Sequence, residues 1–84
     1  MTIEIENYYE HLLLEEMNMR IGEGTLSTDE DTLTDIACLA MNNLPSRYAH
    51  YAVDMAFFLS EQERIEMNNK VAIALNNAID KILK

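Results

Sequence analysis

Two glycines and one proline in 84 residues leave this chain almost no punctuation. A many-stranded sheet needs frequent turns, so that poverty favours long helices. Cysteine occurs once, at Cys38. One thiol cannot close an intramolecular disulfide or build a zinc centre, and a reducing compartment is its natural home. No apolar run approaches the roughly 20 residues of a membrane span, and no basic stretch followed by an apolar one opens the chain. The expected location is the cytoplasm, with no membrane partner. Cations are scarce too: six Lys and Arg stand against 15 Asp and Glu, for a net charge of −9. So acidic a chain is a poor binder of polyanions, which argues against direct DNA contact.

What is present is apolar: 49% of the residues are hydrophobic, too many for a disordered chain. The length fits a single domain over residues 1–84. A chain this short buries roughly 60–65% of its unfolded surface, so its core is thin and self-association is a natural supplement. The acidity is uneven. Residues 1–42 hold ten acids and one base, Arg20, whereas residues 43–84 hold five of each.

The fold class read from these patterns is all-α, a small three-helix domain with an irregular segment before a long C-terminal helix. The first helix is expected from about Ile3 to Ile21, with Ile5, Tyr9, Leu12, Leu13 and Met17 near one face and Gly22 as its stop. Glu4 and Glu6 would sit in its first turn, and Glu16 with Arg20 forms an i,i+4 pair. Ser27 to Glu30 matches a capping box. The second helix then runs to Asn43 with Leu33, Ile36, Ala37, Ala40 and Leu44 as its stripe, and Pro45 ends it.

Residues 46–59 fit neither the helical nor the strand period throughout; a short helical turn followed by an extended piece is expected there. Ser60 to Glu63 is another capping box, opening the last helix. On that helix Val71, Leu75, Ala78 and Ile82 are spaced 4-3-4, and Ile65, Ala72 and Ile79 make a second row. Two shorter helices leave part of so wide a stripe uncovered, which predicts a homodimer through this helix.

Chemistry-bearing constellations are few. His11 and His50 have no Cys or His partner at ligand spacing, so no metal and no cofactor is expected. Ser46, His50 and Asp54 have triad residue types, but no oxyanion arrangement accompanies them. No phosphate loop exists with glycines only at 22 and 24. The chain reads as non-enzymatic.

Two strings identify it. Ile5-Glu6-Asn7-Tyr8-Tyr9-Glu10, continuing through Leu13 to Glu15-Glu16-Met17, resembles the opening of the late competence development protein ComFB family. The run from Asp35 through Asn42-Asn43-Leu44-Pro45-Ser46-Arg47-Tyr48 resembles that family's central signature. The resemblance marks Asn7, Asp35, Asn42 and Pro45 as signature positions. Many members carry three cysteines ahead of the aspartate; here those positions are Ser27, Asp29 and Thr32, so no metal is carried over. The second proline of the signature is Ser46 here.

The resemblance implies a small helical dimer, bacterial, tied to late competence development, with cyclic di-GMP receptors among its relatives. A cyclic dinucleotide asks for cations at its phosphates and flat faces for its bases. Arg20 lies amid acids, and Lys81 and Lys84 lie in the last turn. That leaves Arg47, Arg64 and Lys70, and only Arg47 has aromatic neighbours, Tyr48 and Tyr51. The candidate ligand residues are therefore Arg47, Tyr48, Tyr51 and Arg64. The competing assignment packs Tyr48 and Tyr51 on the last helix while Arg47 bridges an acid of the second. The alternative function is a protein-interaction adaptor with no small-molecule ligand. Asp35 is expected either to accept hydrogen bonds that pin the segment beyond Pro45 or to face solvent.

Overall fold

The computed structural model describes residues 2–26 and 29–83. Among these residues four helices carry the fold: α1 (Tyr8–Glu23), α2 (Glu30–Asn42), α3 (Ala52–Phe58) and α4 (Glu61–Leu83). Two two-residue strands, β1 (Glu6–Asn7) and β2 (Tyr48–Ala49), pair antiparallel with Glu6 opposite Ala49 and Asn7 opposite Tyr48.

The all-α reading holds, with corrections at the ends of elements. The first helix starts at Tyr8, not at Ile3. Asn7 has extended backbone, and its side-chain oxygen accepts from Tyr9 N at 3.1 Å. Asparagine is a strong cap because it satisfies an amide the helix cannot, and that local bond outcompetes an earlier start. Glu4 and Glu6 therefore precede the helix, and Ile5 is exposed. The helix passes through Gly22 and ends at Gly24, whose φ of 78° lies in the left-handed region. There the Gly24 amide donates to Arg20 O and Ile21 O, and Thr25 N donates to Arg20 O at 3.0 Å.

Helix α2 is capped by Asp29, whose carboxylate accepts from Thr32 N at 3.0 Å and from the Thr32 hydroxyl at 2.6 Å. Ser27, the cap expected from sequence, lies outside the described residues. Ser60 caps α4 as expected: its hydroxyl oxygen accepts from Glu63 N at 3.1 Å, while the Glu63 carboxylate accepts from the Ser60 hydroxyl at 3.4 Å, so one half of the capping box forms. Residues 46–59 are ordered the opposite way to expectation, strand first and helix second, with Tyr51 as the extended cap of α3.

The core lies where α4 crosses α1 and α2. Leu13, Ile36 and Leu75 are fully buried at its centre, joined by Tyr9, Met17, Ala40, Met67, Val71, Ala74 and Ala78. Met55 and Leu59 of the α3 region close one end. Three members of the 4-3-4 seam of α4 are used inside the chain: Val71, Leu75 and Ala78 are buried against α1 and α2, while Ile82, the fourth, is exposed. Of the second row, Ile65 is exposed, while Ala72 and Ile79 are partly buried. Arg20 bridges α1 to α4, its Nη1 donating to Asn76 Oδ1 at 2.6 Å and its Nε to Glu16 Oε1 at 3.3 Å. On α4, Glu66 accepts from Gln62 Nε2 at 3.0 Å.

Candidate functional site

The segment from Pro45 to Tyr51 is held by the residues that precede α1. Tyr8 N donates to Arg47 O at 2.7 Å. Asn7 Oδ1 accepts from Arg47 N at 3.2 Å while it caps α1. Glu6 Oε2 accepts from Ala52 N at 2.6 Å, so a carboxylate 46 positions away answers the positive end of α3. Three consecutive residues therefore fix backbone groups on both sides of β2. Asn7, marked by the resemblance, is a structural residue, since its one carboxamide oxygen couples the start of α1 to the segment bearing Arg47.

Among the signature positions, Asn42 is the exposed last residue of α2, and Pro45 borders a shallow pocket beside Arg47. Asp35 is exposed, and no hydrogen bond or ion pair holds it among the described residues. The solvent-facing alternative is the one observed, and the bonds that pin the segment beyond Pro45 come from Asn7 and Tyr8 instead.

Arg47 projects over the start of α4. Its Nη2 lies 3.7 Å from Glu63 Oε2, with both side chains about half exposed. The acid it meets is on α4, not on the second helix. The two residues line a shallow pocket of about 250 Å3 with Tyr9, Glu66, Met67 and Lys70. Two cations there face two carboxylates, so the pocket carries no net charge. Tyr48 and Tyr51 do not line it. Both are exposed on the same short segment, and Tyr51 stacks on His50 with ring centroids 3.9 Å apart and planes at 21°. The structure thus groups Arg47, Tyr48 and Tyr51 on one exposed strip, with Arg47 but neither tyrosine lining the pocket. Neither tyrosine packs into the core. Arg64 is exposed on α4, makes an interaction of its own and does not join this pocket.

Sequence reasoning did not assign Tyr9, Glu63 and Lys70 to this place. The signal was there in part: Glu63, Met67 and Lys70 recur at intervals of four and three on one face of α4. Nothing local shows that this face meets residue 47.

Catalytic groupings are sparse. His50 has no hydrogen bond to Ser46 or Asp54 among the described residues. His11 Nε2 lies 3.0 Å from Glu15 Oε1, and its ring stacks on Tyr8. Asp29 and Thr32, at positions where relatives of the resembled family carry cysteines, are bonded to each other in the α2 cap. Those two bonds hold the Asp29 carboxyl below its ordinary value of 3.8, the Thr32 hydroxyl contributing more than the amide. Among the described residues no helix is long and apolar enough to cross a membrane.

A second surface feature is apolar. On α3, Phe57 is 82% and Phe58 81% exposed, with Val53 one turn back and Tyr48 and Tyr51 nearby. Adjacent phenylalanines so open to water are unusual on a soluble monomer.

Comparison with curated proteins and with solved structures finds no match. The family model for late competence development protein ComFB matches residues 6–84, from the strand that pins the Arg47 segment to the end of α4, and the chain belongs to the ComFB family.

Proposed function

We propose that this chain is a non-enzymatic cytoplasmic regulatory module, a single ComFB-like domain acting as a homodimer, and that its ligand is a cyclic dinucleotide of the cyclic di-GMP kind. The observation that supports this reading is the exposed strip from Arg47 to Tyr51, pinned by Asn7 and Tyr8, which offers one guanidinium and two aromatic faces. The Arg47–Glu63 pair is long and half exposed, so little is lost when the guanidinium turns to a phosphate. A guanidinium takes phosphate oxygens in pairs, and tyrosine faces take bases by stacking.

The dimer is supported by α3 rather than by the α4 seam. Phe57, Phe58, Tyr48 and Tyr51 together expose roughly 410–690 Å2, taking 150–250 Å2 for each aromatic side chain, and Val53 adds to that. That approaches the ~800 Å2 per partner of an ordinary interface. A twofold contact there brings two copies of the Arg47 segment together, matching the two phosphates of the ligand.

The test is calorimetric titration with cyclic di-GMP and cyclic di-AMP, with mass measured by light scattering. Binding that Arg47→Ala weakens by roughly 1.5–3 kcal/mol, the range for a charge-assisted hydrogen bond, supports the receptor. Twice the chain mass, reduced to one chain by a Phe57→Asp, Phe58→Asp double variant, supports the dimer. The second reading is an adaptor without a small ligand, favoured by the same apolar face. A monomer that binds neither nucleotide leaves that reading in possession.

A further inference from the structure

A cleft of about 480 Å3 lies between the end of α2 and the middle of α4, nearly twice the size of the pocket beside Arg47. That volume is in the range of small-ligand sites. Its floor is apolar, with Leu44, Pro45 and Ile73, and Ile73 is left largely open to water. Its rim is polar. Lys70, Asn77 and Lys81 rise from the same face of α4 as Ile73, at intervals of three and four, and Asn43 stands opposite at the end of α2.

The polar groups on this rim are largely uncommitted. Neither lysine ammonium makes a hydrogen bond or ion pair with a described residue. The acids nearest them along the helix are engaged: Glu66 accepts from Gln62, and Asp80, which also lines the cleft, has an interaction of its own. Nor are the lysines occupied in capping α2. Its last carbonyls are answered by Asn43 N to Ala40 O at 3.0 Å, Leu44 N to Met41 O at 3.2 Å and Asn43 Nδ2 to Leu39 O at 2.9 Å. Asn43 Oδ1 remains as an acceptor, and the Asn77 carboxamide offers both a donor and an acceptor. In a chain of net charge −9 this cleft holds two cations against one carboxylate.

Lys81 stands eleven positions after Lys70, about 16 Å along the helix axis. Two ammonium groups so placed answer two separated anionic groups better than one. We propose that this cleft binds a nucleoside bisphosphate, an organic phosphate that carries two separate phosphate groups on one ribose. Lys70 and Lys81, on side chains long enough to lean toward one another across the cleft, take one phosphate each, the two asparagines take the polar edge of the base, and Ile73 with Pro45 takes its flat face. The site goes beyond the Arg47 strip and does not depend on it: Lys70 borders both places, whereas Lys81 and Asn77 border only the cleft.

The probe is adenosine 3′,5′-bisphosphate, titrated into the full chain by calorimetry, with AMP and inorganic phosphate alongside. The bisphosphate should bind about tenfold more tightly than AMP, since each ammonium–phosphate contact is charge-assisted. Lys81→Gln should cost about tenfold, and Arg47→Ala should change nothing, with circular dichroism showing both variants folded. Failure of wild type to bind the bisphosphate overturns the proposal. So does loss in Arg47→Ala with retention in Lys81→Gln. Inorganic phosphate binding as tightly as the bisphosphate refutes the part given to the asparagines and the apolar floor. A chain that binds cyclic di-GMP but not the bisphosphate refutes this site and leaves the Arg47 reading standing; the reverse result does the opposite.

Discussion

Asn7→Ala removes one oxygen and two structural bonds. The first is the cap of α1, Tyr9 N to Asn7 Oδ1 at 3.1 Å. Replacing an asparagine cap by alanine costs about 1 kcal/mol, within a range of roughly 0.5–2. The second is Arg47 N to the same oxygen at 3.2 Å, across 40 residues of sequence. A net hydrogen bond of this kind contributes about 1 kcal/mol. Water can reach the Arg47 amide, so the full penalty of a buried orphan does not apply. The expected loss is therefore about 2 kcal/mol. With a urea slope near 1 kcal/mol per molar for a chain this small, the midpoint should fall by about 2 M. Asn7→Asp keeps an acceptor oxygen in place and should recover most of the loss. The assay is urea unfolding followed by helical circular dichroism, with amide exchange measured at Arg47 and Tyr9. Both amides should exchange faster in the alanine variant. A loss below ~0.5 kcal/mol, or a loss with the Arg47 amide as protected as before, would falsify the claim that one carboxamide couples the two segments.

Asp35→Ala should change stability by less than ~0.5 kcal/mol, because the carboxylate faces solvent with no partner among the described residues; a loss above about 1 kcal/mol in the same urea assay contradicts its placement. Gly24→Ala should cost about 1 kcal/mol through backbone conformation alone, since φ is 78° and no atom lies within 4 Å of an added Cβ; a neutral result in thermal unfolding shows that the left-handed cap is not held. Thr32→Ala should raise the Asp29 carboxyl toward 3.8, read by NMR titration. The sign follows from linkage: a carboxyl lowered in the folded state adds stability above its unfolded value, and that share is lost as pH falls through the folded value. An Asp29 titration unmoved by the substitution rules out Thr32 as the cause.

Several elements of this protein were legible in its sequence because their causes are local. Helix α2 and its arrest near Pro45, the Ser60 start of α4, the Glu16–Arg20 pair and the burial of Val71, Leu75 and Ala78 all follow from spacing and caps within a few residues. The family was legible for a similar reason: residues at fixed spacing in one string carry it, and the family match over residues 6–84 agrees. Other elements had their cause elsewhere in the chain. The start of α1 at Tyr8 rather than Ile3 depends on Asn7, whose oxygen serves residue 47 as well as the helix. Residues 48–58 became strand then helix because Glu6 and Asn7 lie alongside and supply the missing partners, 46 and 40 positions away. No window of sequence contains both members of such a pair, so periodicity cannot report it. The same holds at the candidate sites. Composition singled out Arg47 by elimination, but the crossing of α4 set Glu63 and Lys70 beside it and left Tyr48 and Tyr51 outside that pocket. Local pattern thus determined which residues are helical and apolar, and long-range hydrogen bonds and helix packing decided which polar groups meet.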